Sequence, residues 1–278
     1  MKLSGHTKPF AVLGHPIGHT LSPVMHNASF AALGLDAIYL AFDVHPDRLL
    51  GVLDSLRAMG FGGVNLTIPH KEVAFRGLGQ LDPSARLLGA VNTVQFTTLG
   101  PVGHNTDGHG FLKAVEEAFG RGPAGDHVYV LGTGGAGRAV ALMCAQAGAK
   151  SVRVHDVDPA RVAKLVDEIR KQFPAVTVEA GGDPQAADLV VQCTPVGMKK
   201  DDVSPLPAAT FRKGQRAFDL IYHMPETPFM RAAKAGGAQA ANGLGMLLHQ
   251  GARAFEIWTG TAPRVDAMRQ ALEQAVYG

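Results

Sequence analysis

Three glycines in the middle of the chain stand at a spacing that suits phosphate binding. Gly132, Gly134 and Gly137 match the pattern G-x-G-x-x-G, directly after an apolar run at residues 128–131 and before an Ala-rich run. Between a strand and a helix, such glycines permit a tight turn and let a pyrophosphate approach the N–H groups and positive dipole end of the helix. The sequence therefore predicts a dinucleotide site here, with Gly135 and Ala136 in the same turn.

A lysine and an aspartate in the N-terminal half have side chains suited to proton transfer. Lys71, Asn92 and Asp107 are all predicted to follow strands of one sheet. When hydride leaves a carbinol carbon, the hydroxyl proton must pass to a base, and the reverse reaction needs an acid. Lys71 and Asp107 could do this together. Taken singly, Lys71 is more simply explained as a surface lysine at a helix N-terminus and Asp107 as a helix N-cap.

The elements that must position these residues alternate along the first half of the chain. Strands are predicted at residues 10–13, 37–43, 62–67 and 89–94, helices at 24–33 and 46–59, and a turn around Gly100 and Pro101. This β-α-β-α-β order predicts an α/β fold with a mainly parallel sheet, whose ligands gather at the carboxyl ends of the strands.

The second half repeats strand and helix around the glycine turn and predicts a Rossmann dinucleotide-binding domain. Helices at residues 243–258 and 265–276 are expected to return to the first domain. We therefore expect a substrate-binding catalytic domain at residues 1–107, a Rossmann domain at 108–242, and C-terminal helices at 243–278. The two connections between the domains suggest a hinge.

Composition narrows the class of protein. A chain of 278 residues with 46% hydrophobic residues suggests two cores, and 26 basic against 24 acidic residues give no basic stripe for nucleic acid. Cys144 and Cys193 lack metal-ligand spacing, and the histidines match no ordinary zinc pattern, so no metal is expected. No apolar run is long enough to span a membrane. We expect a soluble cytoplasmic protein, monomeric or homodimeric, that acts on a small molecule.

Several motifs together resemble those of the shikimate dehydrogenase family over nearly the whole chain. In the first half they are GHPIGHTLSPVMHN at 14–27, VNLTIPHK at 64–71, GAVNT at 89–93 and NTDG at 105–108. In the second half they are GTGGAGRA at 132–139, CTPVGM at 193–198, DLIY at 219–222 and GLGMLLHQ at 243–250.

The resemblance implies reversible, nicotinamide-dependent reduction of 3-dehydroshikimate to shikimate, and it implies roles for individual residues. Lys71 and Asp107 would be the catalytic pair. Ring hydroxyls would be bound by Asn92, Thr67 and Gln250. The substrate carboxylate would be bound by Thr20, Ser22 and Tyr222. The nicotinamide would be lined by Thr194, Met198 and Gly243.

The sequence departs from the family pattern where the cofactor's ribose is expected. NADP-using members commonly carry Asn-Arg-Thr after the second Rossmann strand, whereas this chain has Asp156, Val157 and Asp158. A carboxylate there can accept hydrogen bonds from a free ribose diol and repels a phosphate. We therefore expect NAD to be preferred to NADP, with Arg138 and Arg161 as the nearby cations through which NADP could still bind.

A second departure from the family pattern is Thr20, where the family more often has serine. This difference bears on which substrate is accepted. One added methyl group in a small pocket changes discrimination by roughly 1–3 kcal/mol. Quinate is therefore an alternative substrate. A catalytically silent nucleotide-binding regulatory module on the same fold is a further alternative, because a fold does not fix a function.

Overall fold

The computed structural model describes residues 3–199 and 201–278. Contacts between residues divide the chain into two compact units. The first comprises Met1–Gly110, Leu248–Val276 and Gly278, and the second comprises Phe111–Leu247 together with Tyr277. We use these units for description and keep the domain limits suggested by the sequence as a proposal.

The first unit is built on a six-stranded sheet with strand order β2-β1-β3-β5-β6-β4. Its strands are β1 (Lys8–Gly14), β2 (Ala37–Asp43), β3 (Gly63–Leu66), β4 (Gln80–Leu81), β5 (Thr93–Thr97) and β6 (Gly100–His104). Its helices are α1 (Ser22–Leu33), α2 (Leu49–Ala58), α3 (His70–Gly77) and α4 (Pro83–Leu88). A 3₁₀ turn at Pro46–Arg48 precedes α2, within the single helix that the sequence predicted.

Strand β5 runs against the other strands that the structure describes in this sheet, and this corrects two details of the sequence prediction. Asn92 precedes β5 instead of following a strand. Because β5 is antiparallel to β3, its start lies beside the end of β3, and Leu66 N–H donates to Asn92 O at 2.8 Å. Gly100 and Pro101 begin β6 instead of forming a turn, since Thr97 closes the preceding turn by donating to Gly100 O at 2.8 Å.

The C-terminal helices pack on the first unit, as the fold prediction had it. These are α9 (Leu244–Thr259) and α10 (Val265–Tyr277). From α9, Phe255 is fully buried in a cluster with Phe10 and Phe30, and Trp258 Nε1 donates to Val94 O at 3.0 Å. The aromatic side chains of α9 therefore complete a core that the N-terminal segment cannot fill alone.

The second unit carries a fully parallel six-stranded sheet with strand order β12-β11-β10-β7-β8-β9. Its strands are β7 (His127–Leu131), β8 (Ser151–His155), β9 (Thr177–Ala180), β10 (Leu189–Gln192), β11 (Arg216–Asp219) and β12 (Gln239–Ala241). Its helices are α6 (Gly135–Gln146), α7 (Pro159–Gln172) and α8 (Pro228–Ala235), and α5 (Asp107–Phe119) leads into it. This is the doubly wound Rossmann order, whose direction reverses between β7 and β10, where such sheets bind ligands.

The α/β fold class is confirmed, whereas β4, α8 and β12 are elements that the sequence does not predict. β12 is only three residues long and rich in alanine, so it lacks the β-branched residues by which a strand is recognised. Among the residues that the structure describes, no helix combines the length and apolar character needed to cross a membrane.

Candidate active site

Lys71 and Asp107 form a direct ion pair in the first unit. Lys71 Nζ donates to Asp107 Oδ2 at 2.6 Å, and the side chains are 31% and 18% exposed. Lys71 is the second residue of α3, just after β3, and Asp107 is the first residue of α5, just after β6. Because β3 and β6 run in the same direction, their ends bring the two side chains together at one edge of the sheet. A partly exposed pair of this kind can exchange a proton with a bound hydroxyl.

Asn92 and Gln250 lie in the same hydrogen-bonded group. Asn92 Nδ2 donates to Asp107 Oδ1 at 2.9 Å and to Gln250 Oε1 at 3.4 Å. Gln250 comes from α9, 158 residues away in the chain. The structure therefore assembles four of the sequence-predicted site residues, with amide groups that can both donate to and accept from a polyol.

Thr20 and Ser22 lie beside each other at the start of α1. Thr20 Oγ1 donates to Ser22 Oγ at 3.3 Å, and Ser22 N–H donates to Thr20 Oγ1 at the same distance. The third hydroxyl-bearing site residue of this unit, half-buried Thr67, follows β3 four residues before Lys71. Neutral hydroxyls can bind a carboxylate without a buried cation.

Four buried polar residues of this region were given no role in the sequence analysis. Tyr39, Asn65, Thr93 and Thr106 are each at most 5% exposed, and they are hydrogen-bonded to one another or to Asn92. For Tyr39, Asn65 and Thr93, which lie in strands, a polar group within a predicted strand is the signal that could have found them, since buried polar groups need partners.

In the second unit the glycine turn fits a phosphate-bearing ligand. A Cβ on Gly137 would lie within 1.8 Å of Gly132 O, so glycine at that position is needed for packing. Gly134 is different, because its φ of −63° suits any residue and a Cβ there would meet no heavy atom within 4 Å. Gly135 is equally open, and no side chain caps the N-terminus of α6. Glycines that neither packing nor conformation demands leave room for a pyrophosphate against free N–H groups.

Asp156 fastens this glycine turn. Its Oδ2 accepts hydrogen bonds from Thr133 N–H at 2.6 Å and Thr133 Oγ1 at 3.0 Å, while Oδ1 accepts from Asp158 N–H at 3.0 Å. The hydrogen bond from Thr133 N–H holds the pKa of Asp156 below its ordinary value. The Asp156 carboxylate, which the sequence predicts to bind the ribose of the cofactor, thus stabilises the glycine turn within the chain.

The loop after β10 is held by a residue that the sequence analysis did not single out. Gln192 is fully buried, and its Nε2 donates to Thr194 O at 3.0 Å and Val196 O at 2.8 Å, while its Oε1 accepts from Thr194 N–H at 2.8 Å. Thr194 is half-buried and Met198 exposed. Gln192 therefore fixes the backbone of the segment predicted to line the nicotinamide.

Tyr222 and Gly243 also lie in the second unit, near the end of β11. Tyr222 is half-buried, and burial raises the pKa of its phenol. A Cβ on Gly243 would lie 2.2 Å from Leu220 O, so a close backbone approach requires glycine there. Asp219, at the end of β11, is fully buried, and this burial raises its pKa to about 6.

The two cations considered for a cofactor phosphate differ in their surroundings. Arg138 is paired through its guanidinium with Glu168, with Nε donating at 2.9 Å. Arg161 is exposed on the first turn of α7 and pairs with Asp158 at 3.1 Å. An exposed pair within one helix is weak and can be exchanged for a ligand.

The histidines of the first half do not converge on a metal site. His15, His19 and His109 are exposed, and His26 and His70 are buried. Within residues 3–199 and 201–278, no group of three or more His, Cys, Asp or Glu side chains could hold a metal ion.

Two family models match the chain. The model of the shikimate dehydrogenase substrate binding domain matches residues 12–94, and that of the shikimate 5'-dehydrogenase C-terminal domain matches residues 243–273. The shikimate dehydrogenase (NADP(+)) of Moorella thermoacetica is 43% identical over 99% of this chain and 96% of its own length.

The chain is also similar to solved structures that cover 96–100% of its length. A shikimate dehydrogenase in complex with NADP+ has a TM-score of 0.92 at 36% identity, covering 100% of this chain and 98% of its own. The shikimate 5-dehydrogenase of Listeria monocytogenes, in complex with shikimate and NAD, has a TM-score of 0.91 at 34% identity, covering 98% of both chains. A quinate dehydrogenase of Corynebacterium glutamicum in complex with NAD has a TM-score of 0.88 at 31% identity, covering 96% of this chain and 99% of its own.

The expected preference for NAD over NADP is wrong. Similar relatives are named NADP(+) enzymes, and a similar structure holds NADP+. The physical reason lies in Asp156, whose carboxylate already accepts three hydrogen bonds from Thr133 and Asp158. An acidic residue at this position can therefore serve to stabilise the glycine turn. Its presence alone does not indicate that NAD is preferred to NADP.

Proposed function

The chain belongs to the shikimate dehydrogenase family, and we propose on that basis that it interconverts shikimate and 3-dehydroshikimate with a nicotinamide dinucleotide. The observation that carries the proposal is the 2.6 Å contact between Lys71 Nζ and Asp107 Oδ2 beside Asn92. A silent regulatory module would have no need of a mostly buried lysine and aspartate held in this way.

Lys71 and Asp107 act as one proton-transfer unit in this proposal. Oxidation of the ring alcohol removes a hydride from carbon and a proton from oxygen, and the nicotinamide supplies the hydride chemistry when it is bound. The hydroxyl proton passes to the Lys71–Asp107 pair, and in the reverse direction the pair returns it to the carbonyl oxygen. Asn92 donates to Asp107 Oδ1, so Oδ2 stays directed at Lys71.

The remaining site residues are proposed to recognise the polyol and the carboxylate. Asn92, Thr67 and Gln250 would bind ring hydroxyls. Thr20 and Ser22 would bind the carboxylate, with Tyr222 as a further hydroxyl. Hydrogen bonds between neutral groups and sugar-like hydroxyls give specificity, because an analogue lacking one hydroxyl leaves a polar side chain unpaired.

We propose NADP as the cofactor, in line with the names of the relatives. Gly132, Gly134, Gly135 and the N-terminus of α6, including Ala136, would hold the pyrophosphate, and Thr194, Met198 and Gly243 would line the nicotinamide. Arg161 is the cation proposed for the 2′-phosphate, because its carboxylate partner is exposed and belongs to the same helical turn.

Quinate is a second candidate substrate, favoured by the similarity to the Corynebacterium glutamicum quinate dehydrogenase and by Thr20 at a position where the family more often has serine. Quinate carries the same carboxylate and neighbouring ring hydroxyls, so the same side chains would bind it.

Initial rates with shikimate or quinate, each combined with NADP or NAD, test the proposed function. We expect turnover of shikimate with NADP. The proposal fails if shikimate is not oxidised with either cofactor. A higher kcat/KM for quinate would transfer the proposal to that substrate.

We also propose that the enzyme works in the cytoplasm, as a monomer or homodimer. Both cysteines are free, which suits a reducing compartment. Light scattering of the purified protein reports the oligomeric state directly.

A further inference from the structure

A continuous chain of buried hydrogen bonds leads from β2 to Asn92. Tyr39 Oη donates to Asn65 Oδ1 at 2.6 Å, Asn65 Nδ2 donates to Thr93 Oγ1 at 3.0 Å, and Thr93 Oγ1 donates to Asn92 Oδ1 at 2.9 Å. Tyr39 and Thr93 are fully buried, and Asn65 and Asn92 are 5% and 2% exposed. Three strands, β2, β3 and β5, each supply a donor; β3 and β5 are adjacent in the sheet, and β1 lies between β2 and β3. We call this series the buried relay.

Two backbone groups, Thr106 N–H and Asn92 O, orient the two amides of the buried relay. Thr106 N–H points at Asn92 Oδ1 at 2.8 Å. A backbone N–H has no acceptor character, so Oδ1 of Asn92 must face it and Nδ2 must face Asp107. With Oδ1 fixed as an acceptor, Thr93 donates to it, and Asn65 must then present Nδ2 to Thr93 and Oδ1 to Tyr39. Asn65 Nδ2 also donates to Asn92 O at 3.1 Å, and a carbonyl can only accept, so the Asn65 amide has the same orientation on this ground too.

The Tyr39 phenol takes part in the buried relay in its protonated form only. Burial raises the pKa of its phenol well above the ordinary value, and a hydrogen bond from Ser22 opposes this without reversing it. The phenol therefore keeps its proton and remains a donor over the working pH range. The buried relay holds side chains in place and does not conduct a proton.

We propose that Tyr39, Asn65 and Thr93 are positioning residues, which lock the Asn92 amide so that its Nδ2 holds Asp107 in line with Lys71. The inference rests on the proposed function for its kinetic part. Mispositioned catalytic groups cost large factors in rate even where binding survives, so the buried relay should act mainly on kcat.

The first test replaces Thr93 by valine, which has nearly the same shape and lacks the hydroxyl. Asn65 Nδ2 keeps Asn92 O as an acceptor and Asn92 Oδ1 keeps Thr106 N–H, so the variant should fold. We expect kcat with shikimate to fall about 10- to 100-fold, with a smaller change in KM. Thr93→Ser restores the hydroxyl and should recover most of the rate.

The matched control is Thr97→Val on the same strand. The Thr97 hydroxyl donates to Gly100 O at 2.8 Å, outside the buried relay. This variant loses hydroxyl hydrogen bonds to Gly100 O and from Leu99 N–H, so its thermal stability should fall while kcat stays within about twofold of the wild type.

A second variant, Tyr39→Phe, breaks the buried relay at its far end. It should lower kcat less than Thr93→Val, and the double variant should be no worse than Thr93→Val alone, because the relay is already interrupted. Additive losses in the double variant would contradict the relay.

Hydrogen exchange of the Asn92 side-chain amide tests the buried relay without any turnover. The amide signals are assigned by their loss in Asn92→Asp, and their exchange is followed by NMR. We expect faster exchange in Thr93→Val than in wild type or Thr97→Val, because the amide is no longer locked.

The inference is overturned if Thr93→Val keeps kcat within twofold while losing stability, if Thr93→Ser fails to recover the rate, or if Asn92 exchange is unchanged. If the wild type does not oxidise shikimate, the proposed function fails, and the exchange rates alone decide on the buried relay.

Discussion

Lys71 stands in the first turn of α3, where the helix dipole disfavours a positive charge. Asp107 stands in the first turn of α5, where the dipole favours a negative one. Their contact at 2.6 Å offsets the unfavourable placement of the lysine. Stability alone would place a lysine elsewhere on the helix, so this arrangement is better explained by chemistry at the end of β3.

The first prediction concerns Asp107→Asn, which keeps the shape of the side chain and removes its charge. Lys71 would lose its ionic partner, and the proton would lose an acceptor. We expect kcat with shikimate to fall about 10²- to 10⁴-fold, as for the loss of a general acid-base group. The exposed Asp54 supplies the control: Asp54→Asn should leave steady-state rates unchanged. Equal rates for Asp107→Asn and wild type would remove Asp107 from the mechanism.

The role of a single residue can be predicted from the sequence when the residue lies in a recognisable motif. It is predicted poorly when the role depends on partners far away in the chain. Lys71 and Asp107 each follow a strand of one sheet, as predicted, although β5 lies between β3 and β6. Asp156 was read as a ribose ligand because its bond to Thr133, 23 residues away, leaves no trace in the local pattern. Thr93 was overlooked for the same reason, since its partner Asn65 lies 28 residues away on another strand.

At the level of secondary-structure elements, the turn from β7 into α6 contains glycines that are present for two different reasons. Gly137 is required by the approach of Gly132 O, whereas Gly134 has open space in place of a Cβ. The first glycine serves the fold, and the second leaves room for a ligand.

The second prediction follows from this difference. Gly134→Ala should fold with little loss of stability and raise the KM for the dinucleotide at least about tenfold, because the methyl group would occupy the space proposed for the pyrophosphate. Gly137→Ala is the contrasting variant. Overpacking against Gly132 O should lower its free energy of unfolding by about 1–3 kcal/mol. Melting temperature and cofactor KM, measured for both, check this. A Gly134→Ala variant with unchanged KM would place the pyrophosphate elsewhere.

Helix α1 carries a histidine that makes the fold sensitive to acid. His26 is fully buried, its ring stacks on Tyr39 at 4.3 Å, and burial lowers its pKa from 6.5 to about 3. Neither ring nitrogen has a hydrogen-bond partner among the residues that the structure describes. The folded protein therefore binds a proton here less readily than the unfolded chain, so stability is complete above pH 6.5 and is lost as the pH falls towards 3.

The third prediction is that His26→Phe reduces this acid sensitivity. Between pH 6.5 and 4.5 the wild type should lose about 2 to 3 kcal/mol more of its free energy of unfolding than the variant, at about 1.4 kcal/mol per pH unit. Urea denaturation at the two pH values measures the difference. His19→Gln is the control, because that side chain is exposed. Identical acid responses of His26→Phe and wild type would contradict the account.

Element order was predictable from the alternation of apolar runs and turns, but strand direction was not. A half-buried strand has the same period of two whether it runs parallel or antiparallel. The reversal of β5, which brings Asn92 to the end of β3, therefore appears only in the structure. α8 was also absent from the prediction, since eight residues give too few turns for a clear pattern.

At the scale of the whole molecule, the two units differ in how the chain builds them. The second unit is continuous from Phe111 to Leu247 apart from Tyr277, whereas the first needs Leu248–Val276 as well as the N-terminal segment. Phe255 and Trp258 of that returning segment pack with Phe10 in the core of the first unit.

The fourth prediction is that fragments behave differently. A fragment of residues 111–247 should fold cooperatively and bind the dinucleotide, because it contains the whole parallel sheet and the glycine turn. A fragment of residues 1–110 should aggregate, because the core surface around Phe10 is exposed without α9. Circular dichroism and calorimetric titration with NADP distinguish the two. An unfolded 111–247 fragment would show that the sheet cannot stand alone.

The central claim is that Lys71, paired with Asp107, handles the proton while hydride moves between shikimate and the nicotinamide. The most direct measurement compares initial rates of NADP reduction by shikimate for the wild type and Lys71→Met, together with the affinity of each for NADP. We expect turnover by the wild type, a loss of at least about 100-fold in Lys71→Met, and equal NADP affinity. Equal turnover by the two proteins would contradict the account.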